Sequence, residues 1–242
     1  LTVAYDGTDF NGFQIQDGRR TVQAVLEAAI GQVVQHDVRI AGAGRTDAGV
    51  HATGQVVSFQ AATALPTASL RRAVNARLPE DVVIAEAAEA AADFHARYRA
   101  RARGYRYTIW NGAVRSALDR RTAYHWRARL AERAMDEAAH ALEGRRDFAA
   151  FAGTVQGRER PTSTVRTLYR FRCWREGDKV LVQAIADAFL PHMVRNLVGT
   201  LIPVGMGQRT VADVLEVLAS RDRRLAGRTA PARGLCLTDV WY

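Results

Sequence analysis

Cysteine and lysine are almost missing from this chain. Two cysteines, Cys173 and Cys236, stand far apart in 242 residues, in no spacing that suits a metal site or a redox pair. That excludes a disulfide scaffold and fits a reducing, cytoplasmic compartment. No apolar run approaches the roughly 20 residues of a membrane helix, and the chain lacks the charged start and apolar core of a signal peptide. Leu1 already reads as part of a strand, so a few residues are expected to precede it. An apolar fraction of 48% with 24% charged residues excludes wholesale disorder and collagen-like sequence.

What the chain has is arginine. Lys179 is the single lysine, yet Lys plus Arg minus Asp plus Glu is 34 − 25 = +9, with a pI near 10.3. A domain this basic meets a polyanion, most often nucleic acid. A compositional bias toward Arg and Ala is the plainer explanation. Arginine does suit RNA, because its fork pairs with phosphate and its plane stacks on bases.

Periodicity gives an α+β pattern. Thr2 to Tyr5 reads as a strand, and Thr21 caps a helix with Val22, Val25, Leu26, Ala29, Ile30, Val33 and Val34 at helical spacing. Strands are expected at Val38 to Ala41, Gln55 to Gln60 and Val82 to Ala85, with a helix from Ser69 to Leu78. The order is β-α-β-β-α-β. The second half repeats it: strands at Tyr105 to Trp110 and Thr122 to Trp126, a helix from Leu130 to Leu142 stopped by Gly144, and a hairpin of Val165 to Trp174 with Val180 to Ala188. Helices at His192 to Val204 and Val211 to Leu218 and a strand from Leu235 to Tyr242 complete it. This predicts an internal topological duplication, 1–98 and 99–242, with the linker inside 94–103.

The segment Gly42-Ala43-Gly44-Arg45-Thr46-Asp47-Ala48-Gly49-Val50-His51 is the strongest candidate for chemistry. Its glycines let backbone turn sharply and approach a ligand. Asp47 stands where a dinucleotide fingerprint needs glycine, and a strand follows instead of a helix. Asp47 and His51 could ligate a metal only on a helix, which the glycines oppose. A tight hairpin whose Asp caps the turn is the structural alternative.

Within this segment, Gly44-Arg45-Thr46-Asp47-Ala48-Gly49-Val50-His51 resembles the signature of the tRNA pseudouridine synthase A family. Tyr5-Asp6-Gly7-Thr8, Gly12-Phe13-Gln14-Ile15-Gln16, Phe94-His95-Ala96-Arg97, Tyr105-Arg106-Tyr107 and His192-Met193-Val194-Arg195-Asn196 resemble further family motifs, in the family's order. Phe13 departs where many members carry Trp. The resemblance implies two ferredoxin-like halves joined around a basic central cleft, a homodimer, and conversion of uridine to pseudouridine at nucleotides 38, 39 and 40 of the tRNA anticodon stem-loop. It implies Asp47 as nucleophile and Tyr105 packing against the target base. Moving a glycosidic bond from N1 to C5 is redox-neutral, so no cofactor or metal is expected. The target must leave its stack, and Arg45 has the character to prop the helix. An RNA-binding module without catalysis and a hydrolase using Asp47 with His51 are the rival readings.

Two further expectations concern arginines. Arg97, Arg99, Arg101 and Arg103 alternate into Tyr105 and Tyr107, so an extended backbone would aim all six at one side, arginines tracking phosphate and tyrosines meeting bases. Arg166, Arg170 and Arg172 share a parity in the same way. Arg195 lies in an otherwise apolar helix with Gly199 one turn on, where another segment could approach. A buried guanidinium needs a partner, and Asp47, held in its reactive, ionised form, is the one expected; water or a backbone carbonyl would also serve.

Overall fold

The computed structural model describes residues 1–154 and 163–242. In chain order the elements are β1 (Thr2–Tyr5), α1 (Val22–Val34), β2 (Ala41–Gly42), β3 (His51–Ser58), α2 (Thr67–Asn75), β4 (Val82–Glu86), β5 (Ala102–Trp110), β6 (Tyr124–His125), α3 (Glu132–His140), β7 (Gly144–Asp147), β8 (Val165–Glu176), β9 (Lys179–Ala186), α4 (Met193–Gly205), α5 (Val211–Ser220) and β10 (Leu235–Trp241). The protein is thus mixed α+β. Its contacts divide it into two compact units, Leu1–Arg101 with Cys236–Tyr242, and Ala102–Leu235.

In the first unit β1 lies antiparallel between β4 and β3, β2 pairs with one end of β3, and β10 pairs parallel with the other. The expected duplication puts 99–242 in one half; residues 236–242 instead pack with the first unit, because β10 pairs at Cys236 and Leu237 with His51 and Ala52 of β3. Val22, Leu26, Ile30 and Val34 bury one stripe of α1, and Val3 and Tyr5 bury alternate positions of β1. Thr21 caps α1 by accepting the Ala24 N–H. The strand expected over 38–41 shrinks to Ala41–Gly42; Ile40 instead donates its N–H to the Glu27 carboxylate at 3.0 Å. A side chain here takes the place of a ladder bond.

The second unit orders its strands β5-β9-β8-β7, with β6 parallel to β5. Tyr107, Phe148, Phe151 and Phe171 are fully buried. The β8–β9 hairpin turns at Gly177, whose φ of 57° suits a two-residue loop. Past β7, the outer edge of β8 is closed by α3 carboxylate chemistry: Asp136 accepts the Cys173 N–H at 2.7 Å, and Glu143, just beyond the helix, accepts that of Phe171 at 2.7 Å. Helix α3 ends at Ala141 in right-handed conformation, so Gly144 is the start of β7 and not the helix stop. A capping box at Thr210 and Asp213 opens α5.

Candidate active site

Asp47 occupies the irregular stretch between β2 and β3, half-buried between buried Thr46 and Val50. Its backbone is tied down on every side. The Val50 N–H donates to the Asp47 carbonyl at 3.1 Å, closing a turn that needs the positive φ (76°) of Gly49. The Phe13 N–H donates to the Thr46 carbonyl at 3.0 Å, and the Gly49 N–H to that of Phe10 at 3.3 Å. Thr46 Oγ1 lies 2.8 Å from the Tyr5 hydroxyl. Burial pushes the Tyr5 phenol well above its usual range, so it stays a neutral hydrogen-bonding group. A Cβ on Gly7 would stand 2.0 Å from the Val50 carbonyl oxygen, so this segment touches the loop backbone directly.

Gln55 completes the cradle. It is fully buried, donates to the Gly44 carbonyl at 2.9 Å, and lies 3.5 Å from the Tyr5 hydroxyl. Sequence reasoning missed Gln55, Tyr5 and Thr46 as parts of the site. The available signal was a polar residue at the inward parity of an apolar strand, which must find a partner. Tyr5, Gly7, Phe10 and Phe13 therefore hold the Asp47 loop, and three of them, Tyr5, Gly7 and Phe13, lie in the two motifs at 5–8 and 12–16.

His51 does not form a helical pair with Asp47, since the turn separates them and His51 opens β3. Its buried ring turns Nδ1 to the Gly7 N–H at 3.0 Å, with an Asp6 oxygen 3.1 Å from the same nitrogen. It serves the neighbouring segment. Arg45 is exposed on the loop. Among the described residues no three His, Cys, Asp or Glu gather as a metal site would require. No helix among the described residues is long and apolar enough to cross a membrane.

The expected single-faced run does not form. Ala96 to Tyr98 make a turn, and β5 starts only at Ala102. Alternation therefore links Arg103, Tyr105 and Tyr107 but not Arg97 and Arg99. Arg97, Arg99 and Arg101 are exposed, and Arg99 pairs with Asp93. Nor do Arg166, Arg170 and Arg172 share a face. The pairing register slips between Leu168 and Arg170, and this bulge moves the buried parity from Leu168 to Phe171 and Cys173. Arg172 forms a bidentate pair with Asp136 at 2.7 and 2.9 Å.

In the second unit Tyr105 is 8% exposed and meets Phe189 edge-on at 5.2 Å. Tyr107 lies deeper, its hydroxyl donating to the Pro231 carbonyl at 2.8 Å, and burial pushes its phenol far up. Helix α4 is buried almost all round, with Arg195 and Pro203 its half-buried exceptions. The close approach expected at Gly199 is present: a Cβ there would stand 1.7 Å from the Arg228 carbonyl oxygen. The approaching segment is bound at both ends. Gly227 donates its N–H to Thr200 Oγ1 at 2.9 Å, Thr229 donates to Asn196 Oδ1 at 2.7 Å, and the Arg195 Nε donates to the Ala230 carbonyl at 2.8 Å. The backbone-carbonyl partner considered from sequence is thus one that Arg195 has.

Residues 1–99 and 138–242 match the family model described as tRNA pseudouridine synthase. The chain is 44% identical over 240 residues to the tRNA pseudouridine synthase A of Brevibacillus brevis, covering 99% of this chain and 97% of that one. It is 49% identical over 246 residues to the protein of that name from Chloroflexus aurantiacus, covering 100% and 87%. For the one from Aromatoleum aromaticum the identity is 49% over 243 residues, covering 100% and 90%. The loop that presents Asp47 and the segments that cradle it lie inside the matched residues, and the chain belongs to the tRNA pseudouridine synthase family, isomerases that convert uridine in tRNA to pseudouridine.

Proposed function

We propose that the chain acts at nucleotides 38, 39 and 40 of the tRNA anticodon stem-loop, with Asp47 as nucleophile. The carrying observation is the loop itself. A half-exposed carboxylate sits on backbone held by Tyr5, Gly7, Phe13 and Gln55, so its position is fixed before substrate arrives. The reaction breaks the N1–C1′ bond and forms C5–C1′; the C5 proton leaves and N1 gains one, with no net oxidation. A covalent carboxylate intermediate divides that change into easier steps. Tyr105 packs on the target uracil, Arg45 fills the space it leaves in the stack, and Arg195 supports the Asp47 carboxylate. Arg97, Arg99 and Arg101 track phosphate. In the first unit the order β4-β1-β3, with β2 on the far end of β3, supports a ferredoxin-like half. The proposal extends to a second such half, a basic cleft, a homodimer and a cytoplasmic enzyme without cofactor.

The test incubates the purified protein with an unmodified tRNA transcript, digests it to nucleosides and maps the modified positions. Pseudouridine at 38 to 40 is expected, and Asp47→Asn should lower its formation by at least about a thousandfold while binding tRNA nearly as well. Free uracil as product, or substantial turnover by Asp47→Ala, would overturn the assignment.

A further inference from the structure

Tyr98 is 76% exposed, the most exposed aromatic ring among the described residues. It is also firmly placed. The Arg99 N–H donates to the His95 carbonyl at 3.0 Å, while His95 Nδ1 accepts the N–H groups of Arg97 and Tyr98 at 3.2 and 3.4 Å. Beneath the turn, Ala96 is fully buried; its N–H donates to Ser58 Oγ at 3.0 Å and its carbonyl accepts the Tyr242 hydroxyl at 3.0 Å. The Phe94 ring packs on Tyr242 at 4.9 Å. The motif Phe94-His95-Ala96-Arg97 thus builds a pedestal, and Tyr98 is what it lifts into solvent. The His95 ring lies along Tyr98 at 4.3 Å and a tilt of 33°, and the Arg97 guanidinium stands 5.8 Å from the Tyr98 ring centre.

We propose that Tyr98 is a stacking platform for an unpaired RNA base, one other than the target uracil, with Arg97 contacting the adjoining phosphate. The chemistry selects an RNA base over other occupants. A ring held rigid and exposed loses little freedom when a base lies on it, every base offers a π face, and arginines at 97, 99 and 101 in a chain of net charge +9 attract the phosphates that come with it. Stacking on a ring backed by His95 adds affinity without reading sequence. The inference rests on tRNA being the substrate.

Binding of an unmodified tRNA transcript by the full-length protein tests it, measured across a salt series alongside steady-state turnover. Tyr98→Ala should weaken binding roughly five- to a hundredfold, and Tyr98→Phe should stay near wild type because it keeps the ring. The salt slope of Tyr98→Ala should match wild type, whereas Arg97→Gln should lower the slope by about one. Turnover at saturating tRNA and the thermal midpoint should not move in Tyr98→Ala, since the ring is exposed. Unchanged affinity in Tyr98→Ala would overturn the platform, as would an equal loss in Tyr98→Phe. A change of sedimenting mass in Tyr98→Ala would instead make the ring a contact with a second copy. Failure of the wild-type protein to bind tRNA would sink the tRNA reading itself, which separates the two failures.

Discussion

The Asp47 loop and the seam on α4 solve one problem, fixing a charged side chain at a partly exposed position, by opposite means. The loop has no regular structure and borrows its rigidity: backbone bonds to Phe10 and Phe13, the Thr46 contact with Tyr5, and Gln55 on Gly44. The seam starts from a buried helix and adds a loop to it, with Asn196 and Thr200 gripping 227–229 and Gly199 leaving room for the Arg228 carbonyl. Arg195 then comes from a scaffold that the core already holds, while Asp47 depends on several weak ties acting together. Damage to the helix seam should therefore register as lost stability, and damage to the loop as lost rate.

The largest break in that comparison is Gly199→Ala. Its new carbon would overlap backbone that cannot move without pulling 227–230 off α4, so a loss of about 3 kcal/mol or more is expected in denaturant melts. Gly7→Ala overlaps the Val50 carbonyl at 2.0 Å, and the backbone forced to yield there belongs to the turn that carries Asp47. Pseudouridine formation should fall steeply in this variant, with a smaller change in melting than Gly199→Ala. Equal stability losses in the two would erase the distinction.

Arg195→Met sharpens it next. Arg195 belongs to the seam through its bond to the Ala230 carbonyl, yet its proposed role at the site makes it the exception: turnover should drop roughly a hundredfold, with a smaller stability loss of about 1 kcal/mol and tRNA affinity changed far less. An equal loss in affinity would make Arg195 a phosphate contact. A smaller effect is expected from Tyr107→Phe, which removes the donor to Pro231 and should lower stability by about 1 kcal/mol with little change in rate. Tyr105→Leu, two residues away, should do the reverse and reduce turnover.

Acid gives the mildest probe. Hydrogen bonds hold several carboxylates of the second unit below their usual range: Asp119 from Lys179, Asp136 from Arg172 and Asp147 from Thr164. A depressed carboxylate contributes stability above its unfolded value, about 4, that is lost as pH falls through the folded one. The melting temperature should therefore drop below about pH 4, and Asp136→Asn should flatten part of that drop, modestly because the Arg172 pair is open to solvent.

Much of the fold around the candidate site was legible, as was the loop that carries Asp47, but not the residues that hold it. Thr21, Thr210 and the apolar stripes of α1 and α4 marked helices from local chemistry alone. Gly199 was readable as a point of close approach because it lies one turn from Arg195 in an apolar helix and carries no side chain. The arginine runs were misread because parity carries information only along unbroken strand. A turn at 96–98 and a bulge beside Tyr169 each interrupt the alternation, and both depend on partners distant in sequence: Ser58 and Tyr242 for the turn, β9 for the bulge.

The sequence by itself determined the α+β pattern, the basic charge, the family and the loop that carries Asp47, because each is written in neighbouring residues or in a motif. Only the tertiary structure decided that residues 5–13 and Gln55 hold that loop, that β10 returns to β3, and that Tyr98 stands exposed on a buried pedestal. Such contacts join residues far apart in the chain. Their partners are chosen by which surfaces folding brings together, and no local propensity records that choice.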